Sequence, residues 1–210
     1  MSIITEISTI LQAGKTKLLT EKVREALNEG FSAQEILNDG LLKGMAEVGV
    51  KFKANDIFVP EVLMAARALN KGTEILREKL VQEGAKPIGK VVIATVKGDM
   101  HDIGKNLVKM MLQGTGFEVV DLGVDISENA IVEAVKENQP DILCLSALLT
   151  TTMNQQGVVI EALKNASLRD KVKVMVGGAP VTQAFCDEIG ADVYTADAAS
   201  CAQVAKTFVS

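Results

Sequence analysis

Tryptophan is missing from this 210-residue sequence, tyrosine and histidine occur once each, and aromatics make up only 3% of it. Lys plus Arg number 22 against 27 for Asp plus Glu, a net charge of −5. A nucleic-acid binder needs a basic face and stacking rings, and neither is provided. A single imidazole also excludes the usual zinc or non-haem iron centres, which draw on several. A disulfide framework is lacking too: Cys144, Cys186 and Cys201 are odd in number, far apart and form no C-x-x-C, the pattern of buried thiols in a reducing compartment. No basic stretch or long apolar run opens the chain, so no signal peptide is expected and the protein reads as cytoplasmic. The one long uncharged stretch, residues 142–160, turns polar over 150–157 and reads as strand, loop and helix start, not a membrane span.

What is present suits a globular core: 48% of residues are hydrophobic and 23% charged. The length fits one large domain or two small ones, and the rhythm changes near Gly84–Gly89. Before that point the apolar spacing is helical. A short helix over 2–11 is followed by a face of Leu19, Val23 and Ala26/Leu27. Ser32 and Glu35 form a capping-box pattern ahead of Leu37, Leu41, Met45 and Val48. From Pro60 a long run aligns Val62, Ala66, Leu69, Thr73, Leu76 and Leu80. Four helices make a small bundle over residues 1–88, in which Gly40 and Gly44 let helices approach closely. Met45, Met64, Met100, Met110 and Met111 read as packing residues.

Residues 89–210 alternate strand and helix. Strands are predicted at 90–96, 117–122, 141–145, 173–176 and 192–194, with helices at 102–114, 127–138, 153–165, 181–188 and 198–208. The fold class is therefore α/β with an N-terminal all-α domain: a five-stranded parallel sheet of flavodoxin- or Rossmann-like type, flanked by helices. In such sheets ligands sit beyond the carboxyl ends of the strands.

Those ends carry Lys97-Gly98-Asp99-Met100-His101-Asp102-Ile103-Gly104, Ser146-Ala147-Leu148-Leu149-Thr150-Thr151-Thr152, Gly177-Gly178-Ala179-Pro180 and Thr195-Ala196-Asp197-Ala198. A phospho-receiver site needs an aspartate where Ser146 stands. A dinucleotide fingerprint or P-loop needs more glycines than Gly98 and Gly104, and a hydrolase elbow needs glycines around Ser146. A lone histidine is commonly a core residue, but His101 lies on a loop where core residues are least expected. Asp99 reads either as its partner or as a cap for the next helix, and Gly177-Gly178 alone could be a tight turn.

Taken in order, Asp99, His101 and Gly104, then Ser146 and Leu148, then Gly177 and Gly178 resemble the D-x-H-x-x-G … S-x-L … G-G signature of cobalamin-dependent methyltransferases and mutases. The gaps of 41 residues between Gly104 and Ser146 and 28 between Leu148 and Gly177 fit it. Gly44-Met45-Ala46-Glu47-Val48-Gly49 and Phe58-Val59-Pro60-Glu61-Val62 resemble the helical cap of methionine synthase and of methanogen and acetogen corrinoid proteins. The resemblance implies a bound cobalamin or other cobamide, carrying methyl on cobalt in the loaded state. It implies His101 as the axial cobalt ligand, Asp99 and Thr152 continuing a relay from it, and the remaining loop residues Gly98, Met100, Asp102 and Ile103 around it. Gly104, Ser146, Leu148, Thr150, Gly177, Gly178 and Ala179 would receive the cofactor's displaced nucleotide tail, with Tyr194, Ala196, Asp197 and Ala198 lining the same pocket. Phe58 and Val62 would face the methyl side of the ring, unless they are ordinary bundle core.

The implied function is that of a methyl carrier, catalytically incomplete alone. A substrate-specific methyltransferase would load it, a second methyltransferase would carry the acceptor (coenzyme M or tetrahydrofolate), and a reductive activase would rescue Co(II). Nucleic acid and membrane are not expected partners. The small subunit of an adenosylcobalamin mutase and a cobalamin-sensing module are the alternatives.

Overall fold

The computed structural model describes residues 2–209; Met1 and Ser210, the outer limits of the two expected domains, lie outside them. The chain divides into two compact units, one running to Pro87 and including Gly114–Gly116, the other comprising Ile88–Gln113 and the chain from Phe117 on.

In the helical unit, α1 (Ile3–Gln12) starts where the Ser2 hydroxyl accepts the Thr5 N–H, and it buries Ile7 and Leu11. Helix α2 (Thr16–Asn28) buries Leu19, Val23 and Ala26. Helix α3 is composite: Ala33–Glu35 and Lys43–Lys53 are α-helical and Ile36–Leu42 is π-helical. The π segment corrects the expected inner face. Ile36, not Leu37, is fully buried, because the wider turns place inward residues five apart, Ile36 to Leu41, before Met45 and Val48 resume ordinary spacing. Ser32 accepts the Glu35 N–H, while the Glu83 carboxylate takes those of Ala33 and Gln34, closing the start of α3 from the far end of the unit.

Helix α4 (Val59–Gln82) buries Val62, Ala66, Leu69, Leu76 and Leu80; Gly72 occupies the inner position expected of Thr73, which is only half-buried. A side chain at Gly72 would press on Leu41, with its Cβ 3.0 Å from Leu41 Cδ1. Close packing also holds at Gly44, whose added Cβ would lie 3.0 Å from the Ser8 carbonyl oxygen of α1.

The second unit is a parallel sheet of β1 (Lys90–Thr95), β2 (Glu118–Asp121), β3 (Ile142–Ser146), β4 (Lys173–Gly177) and β5 (Val193–Tyr194), in the order β2-β1-β3-β4-β5. The connecting helices are α5 (Ile103–Gln113), α6 (Glu128–Asn138), α7 (Asn154–Asn165), α8 (Gln183–Ile189) and α9 (Ala198–Lys206). Strand side chains alternate between faces. Val92, Ala94, Leu143, Leu145, Val174 and Val176 bury against Ile131, Val135, Val159, Ile160 and Phe185 of α6, α7 and α8. Val91, Ile93, Ile142, Cys144 and Met175 bury on the other face, which α5 and α9 cover with Leu107, Met111, Ala198 and Cys201. Burial on both sides is why these strands read as apolar runs without alternation. The three cysteines are buried and unbridged. No helix among the described residues is long and apolar enough to cross a membrane.

Candidate functional site

The chain leaves β1 for α5 on one face of the sheet and leaves the neighbouring β3 for α7 on the other. This reversal opens a crevice between their carboxyl ends. Asp99 and His101 come from the β1–α5 loop, and Leu148, Leu149 and Thr152 from the β3–α7 loop. The β1–α5 loop first turns tightly, Asp99 donating its N–H to the Val96 carbonyl with Gly98 left-handed at φ +79°. That turn aims the Asp99 carboxylate across the crevice. Its Oδ1 accepts His101 Nδ1 at 2.7 Å and the His101 backbone N–H at 3.1 Å. Its Oδ2 accepts the Thr152 hydroxyl at 2.6 Å and the Leu148 and Leu149 N–H groups at 2.7 and 3.4 Å.

Asp99 has no solvent exposure, whereas the His101 side chain is 49% exposed. Burial by itself pushes the Asp99 carboxyl up. The Thr152 hydroxyl, the Leu148 N–H and the two His101 donors outweigh it and hold the group well below the usual carboxylate range. Asp99 is therefore an anion and only accepts, so the proton between it and His101 sits on Nδ1. In a neutral ring the lone pair is then on Nε2. The two loops also carry exposed apolar side chains: Met100 is 68% exposed and Ile103 72%, with Leu148 and Leu149 exposed as well.

Below it, Thr95, Ser146 and Gly177 lie side by side across β1, β3 and β4, all facing α5 and α9. A Cβ added to Gly104, in the first turn of α5, would have nothing within 4 Å. Gly178 is the opposite case, its backbone pressed on Ala147.

Several residues singled out in the sequence stand elsewhere or are otherwise engaged. The Asp99 carboxylate accepts no N–H of α5, so it is not that helix's cap; the Asp102 carbonyl accepts the Asn106 N–H and its carboxylate the Asn106 amide. Tyr194 is in register with Val176 and packs on the core covered by α6–α8, on the opposite face from Ser146, so its side chain does not line the same pocket. Asp197 caps α9, accepting the Ser200 N–H and hydroxyl at 2.8 Å each. Ala198 is buried beside it, while Ala196, Ala179 and Thr150 are exposed at the strand ends. In the helical unit Val62 is wholly buried and belongs to the bundle core, whereas Phe58, at the start of α4, is 65% exposed.

Sequence reasoning passed over three residues. Thr95 is buried, and its hydroxyl donates to the His101 carbonyl at 2.9 Å. Gln156, also buried, donates to the Leu145 and Gly177 carbonyls and so ties the ends of β3 and β4, leaving its Oε1 without a partner. Lys105 is buried against both oxygens of Asp121 at 2.7 Å. Burial raises the Asp121 carboxyl, but the Lys105 ammonium, the Gly123 N–H and Lys109 bring it below its ordinary value.

Two family profiles, each described as a B12 binding domain, match residues 89–203 and 3–77. The chain is 47% identical over 180 residues to the trimethylamine corrinoid protein of Methanosarcina barkeri, covering 85% of this chain and 83% of that one. It is 44% identical over 210 residues to the dimethylamine corrinoid protein of the same organism, covering 99% and 98%. The chain belongs to the corrinoid proteins of methyltransferase systems. Among solved structures, the methanol:cobalamin methyltransferase complex of Methanosarcina barkeri superposes with a TM-score of 0.89 at 32% identity, covering 99% of this chain and 79% of that one. A cobalamin-binding protein from Desulfitobacterium hafniense gives 0.81 at 32% identity, covering 99% and 98%.

The cofactor of this corrinoid protein is cobalamin or a related cobamide. The residues at the crevice suit such a group. A corrin already brings four nitrogens to its cobalt, so a single imidazole from the protein would suffice to hold it, and His101 is the one the chain has. The exposed apolar side chains of Met100, Ile103, Leu148 and Leu149 on the two loops suit a broad, largely apolar ring.

Proposed function

We propose that the protein is a methyl carrier in which His101 holds the cobalt of a bound cobamide from below, oriented by Asp99. When bound, the cobamide supplies a cobalt centre that takes up a methyl group and later gives it away. The observation that carries the reading is the His101–Asp99 pair at the switch point of the sheet, with Nδ1 fixed by a buried carboxylate on a half-exposed ring.

The residues of the chain have separable tasks. Asp99 fixes tautomer and ring plane, and its negative charge raises the donor strength of Nε2. Thr152 and the Leu148 N–H hold Asp99 ionised, so that the proton it shares with His101 would stay on the imidazole and not on the carboxylate. Gly104, Ser146 and Gly177 leave the space into which the cofactor's nucleotide tail would pass. The chain is incomplete as a catalyst: a substrate-specific methyltransferase delivers the methyl group, a second methyltransferase presents coenzyme M or tetrahydrofolate, and a reductive activase returns oxidised cobalt to use.

We favour a methylated amine as donor, because relatives named for trimethylamine and dimethylamine share 44–47% identity with this chain, against 32% for the structure named for methanol. The test is to co-purify the methyltransferase encoded with this protein, reduce the loaded carrier, and follow the cobalt absorption on adding single donors. Trimethylamine, dimethylamine or monomethylamine should convert it to the methylated spectrum. Conversion by methanol or a methoxylated aromatic alone would refute the donor. A protein isolated with an adenosyl upper ligand would refute the carrier role.

A further inference from the structure

The carboxylate that orients His101 is itself held by a segment on a different loop. Between β2 and α6 the chain passes through Asp121, Gly123 and Asp125, and Asp125 is left-handed at φ 55°. An aspartate pays conformational strain there, which needs a return from local contacts. Two bonds supply it. The Asp125 N–H donates to the Asp99 carbonyl at 3.0 Å, and Asp125 Oδ1 accepts the Gly98 N–H at 2.6 Å. One residue thus grips the main chain on both sides of the Asp99 side chain. Its neighbours brace the grip: Ile126 N–H donates to the Thr95 carbonyl and Thr95 N–H to that of Gly123. Asp121 holds the far end of the same loop through Lys105.

We infer that Asp125 is a positioning residue for the His101 site, setting the direction of the Asp99 carboxylate and through it the tautomer of His101. Asp125 is itself exposed, and its bonds go to the backbone of Gly98 and Asp99, through which its effect passes. The inference deepens the proposed function, since the His101 tautomer matters for metal binding only if His101 is the ligand. Its own test needs no cofactor.

His101 is the sole histidine, so nitrogen-15 spectra of the cofactor-free protein with labelled histidine report its tautomer without assignment work. In the wild type at neutral pH the Nδ1–H form should dominate. Asp125→Gly removes the acceptor while tolerating the left-handed backbone, and Asp125→Ala removes it with added strain. In both, the ratio of Nδ1–H to Nε2–H should fall roughly fivefold or more, the scale set by loosening one hydrogen bond to a charged group. Asp125→Asn keeps both an acceptor and a residue suited to positive φ, and should restore the wild-type ratio. Asp141→Ala is the stability control. Asp141 accepts the Lys90 N–H at the amino end of the sheet, so its loss should lower the melting temperature and leave the ring signals unmoved. A wild-type ratio in Asp125→Gly, or an equal change in Asp141→Ala, would overturn the inference. Failure of cobalt ligation by His101 with the expected tautomer shifts intact would instead refute the proposed function alone.

Discussion

Gly178→Ala should cost the sheet unit about 4 kcal/mol or more, placing it among the severe single substitutions. The reason is main-chain geometry. Gly178 has φ +132°, and a Cβ built there would lie 1.7 Å from the Ala147 oxygen, 2.7 Å from its carbonyl carbon and 3.1 Å from its nitrogen. No rotamer relieves a clash between Cβ and backbone, so either the β3–α7 loop or the turn after β4 must move. The melting temperature of the sheet unit, followed by calorimetry, should fall by about 15 °C. Gly104→Ala is the informative contrast. Its Cβ meets nothing within 4 Å, so melting should stay near wild type while cobamide uptake weakens. Equal melting temperatures for Gly178→Ala and wild type would show that the two loops are not pressed together.

Asp99→Asn should destabilise by about 3 kcal/mol at pH 7, the scale for removing one member of a buried charged network. An amide cannot accept from all the donors that surround Asp99: His101 Nδ1, the His101 and Leu148 N–H groups and the Thr152 hydroxyl. At least one donor then faces the new NH2. The effect must depend on pH in a definite direction. The folded-state pKa of Asp99 is lowered, so its stabilisation is fully present above the unfolded value, about 3.9. It is lost as pH falls below that value towards the folded one. Urea midpoints of wild type and variant should therefore converge as pH drops below about 4, where both still share the slope that Asp121 contributes in the same direction. A gap that stays constant from pH 7 to the acid limb would refute an ionised Asp99.

Which parts of the site could be read beforehand depended on whether side chains or main chain do the work. His101 was legible because it is the only imidazole and follows a strand, and Asp99 because it lies two residues away. Thr152 was reachable only through family resemblance, since its partner is 53 positions distant. Leu148 is expected from the resemblance to meet the cofactor's tail, yet what it gives Asp99 is a backbone N–H, which any residue could supply. Asp125 was invisible for the same reason: its bonds go to the main chain of Gly98 and Asp99, 27 and 26 positions earlier, and no spacing rule reports them. The five strands and the helical unit followed from apolar rhythm, whereas the strand order β2-β1-β3-β4-β5 did not, because rhythm marks strands and not their neighbours. The phase slip at Ile36 did not, because a π-turn leaves the composition of a helix unchanged. Tyr194 was assigned to the wrong face because a strand of two residues, Val193–Tyr194, is too short to show alternation.

The central claim is that the imidazole of His101 is bonded to the cobalt of the cofactor. The most direct measurement is the paramagnetic resonance spectrum of the Co(II) form prepared with nitrogen-15 histidine, since only one residue in the chain can carry the label. Ligation by His101 Nε2 should turn the triplet splitting of each cobalt line, from nitrogen-14, into the doublet of nitrogen-15. A triplet that persists in the labelled protein would mean that the cofactor's own base remains on cobalt, and would contradict the account.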